Sequence, residues 1–67
     1  MLKVTVNGQK KSFESKLTVM ELLLNLNLAP GITIVEQNGE ILSKGTYEEV
    51  EVKDGDVLEL IRFMGGG

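Results

Sequence analysis

Three consecutive glycines, Gly65, Gly66 and Gly67, close the 67-residue sequence. Glycine buries no side chain and loses more conformational freedom on ordering than any other residue. The run therefore predicts a mobile tail rather than a packed element. Its chemical asset is the α-carboxylate of Gly67, carried on backbone that no Cβ widens. Three residues reach about 10 Å, at roughly 3.3–3.6 Å each, far enough to thread a narrow channel in another protein. A frayed terminus is the plain alternative for such a run.

The other reactive side chains narrow the chemistry further. The chain has no His and no Cys, which removes the commonest general base, the commonest metal ligands and the thiolate nucleophile. No catalytic residue is expected, and an autonomous enzyme is disfavoured. Asp54-Gly55-Asp56 could pass for a metal loop, but a calcium loop needs further oxygen ligands at spaced positions. It reads as a turn, and no metal site is expected.

The net charge of −3 argues against nucleic acid, which demands Lys and Arg against phosphate. The charge is uneven. Residues 1–33 carry +2, whereas residues 34–67 carry −5. The acidic half leads into the tail, so a basic partner surface is plausible there; a solvated acidic face is the alternative. No apolar run approaches the ~20 residues of a membrane span, and Met1 to Val6 lack the long apolar region expected of a secretory signal. The expected setting is the cytoplasm, without membrane association, and the free protein is expected to be a monomer.

At this length the chain forms one small domain. Leu2, Val4 and Val6 alternate with Lys3 and Thr5, a strand with one buried face. Asn7-Gly8 is a strong hairpin signal, because a tight I′ turn needs positive φ at both central residues. The return strand spans about Gln9 to Glu14, with Phe13 as its core anchor and Lys10 and Lys11 marking a wet edge. Thr18 to about Asn27 reads as the single helix. Thr18 and Glu21 form a capping box, and Leu17 with Leu22 a hydrophobic staple. Val19, Leu22, Leu23 and Leu26 make one apolar stripe, with Met20 and Leu24 off it. Pro30-Gly31 is expected to end the element.

Ile32 to Val35 reads as a third strand. Asn38-Gly39 is a second tight turn, and Glu40 to Leu42 a short strand after it. Residues 43–49 read as an irregular polar connection with room for one helical turn. Val50 and Val52 mark a brief extended piece. The last strand spans 57–63. Glu59 must face water, which places Val57, Ile61 and Phe63 on its side and Leu58 and Leu60 in the core. Arg62 shares the core side, where the strand is expected to be leaving the body. The exposed apolar strip running into the glycines reads as a partner-binding site, formed by Val57, Ile61 and Phe63 with Met64 beside them; a strand buried on both faces is the alternative.

The order of hairpin, helix, further strands and glycine tail resembles the ubiquitin-like β-grasp. That resemblance implies an α+β fold with a mixed sheet of four to five strands packed on one helix. It implies a domain over residues 1–64, a flexible tail over 65–67, and parallel pairing of the first and last strands. The segments Thr18-Val19-Met20-Glu21-Leu22-Leu23, Asn38-Gly39-Glu40-Ile41, Asp54 to Leu60 and Phe63-Met64-Gly65-Gly66-Gly67, in that order, resemble the ThiS family of sulfur carriers in thiamine biosynthesis. The small subunit of molybdopterin synthase shares fold and terminal Gly-Gly, but Arg62-Phe63-Met64 before the glycines is closer to the thiamine carriers. A ubiquitin-like modifier and a passive interaction module are the remaining alternatives.

The ThiS resemblance implies that Gly67 is the modified residue. An E1-like adenylyltransferase (ThiF-like), using ATP and Mg²⁺, would activate it. A sulfur donor such as a cysteine desulfurase would then allow conversion to a thiocarboxylate. Sulfur would pass to a thiazole synthase (ThiG-like). The chain itself would bind no cofactor and would act as co-substrate of its partners.

Overall fold

The computed structural model describes residues 1–62. β1 (Leu2–Val6) and β2 (Gln9–Phe13) form an antiparallel hairpin. Its turn residues Asn7 and Gly8 both take positive φ, 50° and 81°, as the I′ geometry demands. A short strand β3 (Leu17–Thr18) leads into the helix α1 (Val19–Asn25). The capping box is formed: the Glu21 N–H donates to Thr18 Oγ1 at 3.1 Å, and the Thr18 N–H donates to Glu21 Oε1 at 2.8 Å. The first two helical N–H groups also find acceptors, Val19 on the Val50 carbonyl and Met20 on the Tyr47 carbonyl. Donors that helix starts ordinarily leave orphaned are thus satisfied by the cap and the 47–50 loop.

The helix is shorter than its apolar stripe predicts. Asn27 takes φ 60°, and the Leu28 N–H reaches back to the Leu23 carbonyl at 2.8 Å. This is a Schellman-type stop, with Asn in the left-handed position usually held by Gly. Asn27, rather than Pro30, ends the helix, and Leu26 becomes the cap residue. Pro30–Ile32 form a single 3₁₀ turn, so Ile32 does not belong to the third strand as expected. That strand, β4, runs Thr33–Gln37.

After the Asn38-Gly39 turn come β5 (Glu40–Ile41), a 3₁₀ turn at Lys44–Thr46, β6 (Glu51–Val52) and β7 (Val57–Arg62). The main sheet has the order β2-β1-β7-β4-β5, and β3 pairs with β6 in a separate two-stranded ribbon. β1 and β7 run parallel, with Thr5 opposite Val57 and Val6 opposite Leu58; the other neighbours are antiparallel. The mixed five-stranded sheet and the parallel pairing of first and last strands are those of the β-grasp.

One face of the sheet packs on α1. Val4, Val6, Val35, Leu58 and Leu60 come from the sheet, and Val19, Leu22 and Leu23 from the helix; Tyr47 and Val52 close the side. Phe13 is only half-buried at the margin of this core, because β2 is an edge strand. Leu17, Met20 and Leu26 also pack on its margin, while Leu24 is 58% exposed. Among the described residues no helix is long and apolar enough to cross a membrane.

Candidate functional site

β7 is the strand from which the glycine tail departs, and its alternation follows the expected phase. Leu58 and Leu60 are buried, whereas Val57 and Ile61 are each 50% exposed beside exposed Glu59. Arg62 lies exposed at the strand's end. Phe63, Met64, Gly65, Gly66 and Gly67, named above as docking and modified residues, lie outside the described residues.

Two asparagines hold the β7 backbone. β1 stops at Val6, so it pairs with only the first part of β7. Beyond that point the side chain of Asn7 takes over: its Oδ1 accepts from the Leu60 N–H at 2.8 Å and its Nδ2 donates to the Leu60 carbonyl at 3.3 Å. One side-chain amide thus supplies the donor and acceptor of a missing strand residue. At the other end Asn38 does related work. Its backbone N–H donates to the Val57 carbonyl, and its Oδ1 accepts from the Val57 N–H at 2.9 Å.

Asp56 anchors the turn entering β7. Its side chain is almost wholly buried. It accepts from the Lys53 N–H and Gln37 Nε2, each at 2.8 Å, and from Asn38 Nδ2 at 2.9 Å. Burial pushes this carboxyl up. The hydrogen bonds from Asn38, the Lys53 backbone and Gln37, with the Lys53 charge, outweigh burial and hold it below its ordinary value. The neighbouring Asp54 accepts from the Lys3 N–H at 2.8 Å, and the Gly55 N–H donates to the Lys3 carbonyl at 2.7 Å. The acidic triplet is therefore a structural turn that ties β7 to β1 and β4. Among the described residues no group of three or more His, Cys, Asp or Glu side chains is placed to hold a metal ion.

The sheet face opposite the helix is open and divided by charge. Lys3 and Lys10 stand on the β1–β2 half. On the other half Ile61 pairs with Ile34, Glu59 with Glu36, and Glu36 with Ile41. Ile41 is 74% exposed. The apolar strip expected from β7 alone is therefore wider, extending across β4 and β5. Ile34 and Ile41 were not singled out from the sequence; only the strand register brings them beside Ile61 and Glu36. The roles of Asn7, Asn38 and Asp56 were likewise missed. Their one sequence signal was membership of Asn-Gly and Asp-Gly-Asp turns.

Comparison with known proteins follows the same outline. The model of the ThiS family matches residues 4–67. The sulfur carrier protein ThiS of Bacillus subtilis is 48% identical over 50 residues, covering 75% of this chain and 76% of the relative. The thiazole synthase of Paramagnetospirillum magneticum is 41% identical over 66 residues, covering 98% of this chain. The chain spans about a fifth of the length of that protein and of a second thiazole synthase, from Magnetococcus marinus. The crystal structure of a thiamine biosynthesis protein (ThiS) from Geobacter metallireducens superposes with a TM-score of 0.85 at 40% identity, covering 98% of this chain and all of that one.

Proposed function

The chain belongs to the ThiS family, and from that premise we propose that it carries sulfur to thiazole formation in thiamine biosynthesis, with the Gly67 carboxylate as its working end. The observation that carries this reading is the reach of the family match, which runs through Gly67. The glycine run is thus part of the family pattern and not an appendage to it.

A carboxylate resists nucleophiles because its charge is shared over both oxygens. Gly67 must first exchange one oxygen for a leaving group. In the proposed route a carboxylate oxygen attacks the α-phosphorus of ATP on an E1-like adenylyltransferase, and pyrophosphate departs. The terminal sulfur of a persulfide, on a donor such as a cysteine desulfurase, then attacks the acyl carbon, AMP leaves with the oxygen, and a thiol reductant cleaves the S–S bond of the resulting acyl disulfide to free the thiocarboxylate. The terminal thiocarboxylate hands its sulfur to a thiazole synthase. Catalysis, ATP and Mg²⁺ belong to the partners; this chain supplies a docking body and a reactive end. Glycine at 66 and 67 admits close backbone approach. Docking through Val57 and Ile61, with Phe63 and Met64 beyond them, raises the tail's effective concentration in the partner's site.

The test is intact-mass analysis after incubation with ATP, the adenylyltransferase and a sulfur source. The expected product gains the mass difference of sulfur for oxygen, localised to Gly67. A chain extended by a short tag after Gly67 has no carboxylate there and should stay unchanged while melting normally. Sulfur gain on the tagged chain, or none on the untagged one, would refute the reading.

A further inference from the structure

Glu36 and Glu59 are direct cross-strand partners on the open face of the sheet. Opposed side chains in a sheet stand about 4.5–5.5 Å apart, and like charges in that position destabilise it. The nearest positions on β4, β5 and β7 carry no charge. Along the strands lie Ile34 and Ile61 on one side and Asn38 and Val57 on the other, while Ile41 flanks Glu36 on β5. Arg62, one residue from Ile61, alternates to the opposite face of the sheet. Two carboxylates thus stand opposite each other with Ile34, Ile61, Val57 and Ile41 around them.

Resting on the carrier reading above, the geometry points to Glu36 and Glu59 as the recognition element for the thiazole synthase, which would seat an arginine or lysine between them while its apolar surface covers Ile61, Ile34 and Ile41. A planar guanidinium can span two carboxylates with charge-assisted hydrogen bonds. The apolar frame excludes water and strengthens that pairing. Other occupants fit poorly. A second copy docked about a twofold axis would bring this acidic half against itself, and nucleic acid or an anionic lipid surface would meet carboxylates in place of cations.

The experiment measures binding of the intact chain to the thiazole synthase by calorimetry at low and high salt. The neutral variant Glu36→Gln/Glu59→Gln keeps side-chain size and removes the repulsion. It should melt at or above the wild-type temperature and bind about tenfold or more weakly at both salt concentrations, as expected when a desolvated charge pair is broken. Glu48→Gln/Glu49→Gln makes the same change of net charge at exposed positions elsewhere, and should bind like the wild type. Wild-type affinity in the Glu36/Glu59 variant, or equal weakening in the Glu48/Glu49 control, would overturn the proposal while leaving the carrier reading intact. If the wild-type chain itself fails to bind, the thiazole synthase reading falls and this proposal with it.

Discussion

Tyr47→Ala should remove a third or more of the chain's stability, although Tyr47 sits in a connection between short elements. The ring is fully buried, and removing a buried aromatic ring costs about 3–5 kcal/mol. A domain of this length holds only roughly 3–10 kcal/mol in total, at about 0.05–0.15 kcal/mol per residue. The hydroxyl has its own part. β5 ends at Ile41, and past the Leu42 N–H on the Val35 carbonyl the edge of β4 has no strand beside it. Tyr47 Oη fills the gap, donating to the Thr33 carbonyl at 2.8 Å and accepting from the Val35 N–H at 3.2 Å. Tyr47→Phe keeps the ring and strands both groups. It should cost about 1–3 kcal/mol, lowering Tm by roughly 4–8 °C for each kcal/mol. A Phe variant that melts with the wild type would show these two bonds to be energetically idle.

Asp56→Asn should cost about 2–3 kcal/mol at neutral pH, the scale of a hydrogen bond to a charged acceptor. The change keeps the shape of the side chain but turns one acceptor oxygen into a donor, facing the donors of Lys53, Gln37 or Asn38. The penalty should depend on acidity in a definite sense. The folded-state pKa lies below the ordinary value, so the folded state favours the charged form. The resulting stability is fully present above the unfolded pKa, about 3.9, and disappears as pH falls through the lower folded value. Urea unfolding at pH 7 and again below pH 3 should therefore show the gap between wild type and variant shrinking with acid. A gap that holds constant or widens would contradict the assignment of Asp56 as a charged acceptor.

Much of this architecture was legible because it obeys local rules. The hairpin followed from alternation plus Asn-Gly, and the helix start from Thr18 and Glu21. The phase of β7 followed from the charge of Glu59, with Arg62 set aside at the strand's end, and the exposures of Val57 and Ile61 agree with it. What escaped was non-local. The helix looked longer because Leu26 continues its stripe, and nothing local distinguishes Asn27 in the left-handed region from Asn27 in a last turn. Tyr47 was hidden in a polar stretch, since burial there depends on the gap left by β5 on β4. The acidic pair at Glu36 and Glu59 arises from a register between strands more than twenty positions apart. The same holds for Asn7, whose side chain acts on Leu60, 53 residues away.

Both side-chain clamps on β7 belong to Asn-Gly dipeptides, the sequence in which the following nitrogen, unhindered by a Cβ, most readily closes on the asparagine amide. The residues that make the turns possible are thus also the chain's sites of chemical ageing. Hydrolysis of the Asn38 amide would set a second carboxylate against Asp56 Oδ1, where Nδ2 now donates at 2.9 Å. Hydrolysis at Asn7 would turn an oxygen toward the Leu60 carbonyl. Because each amide is held by its clamp, deamidation followed by peptide mapping should run slower in the folded chain than in urea; equal rates would mean that the clamps open freely. Old preparations would then accumulate molecules with an intact tail on a loosened strand, the first damage falling where the body grips the part it must present.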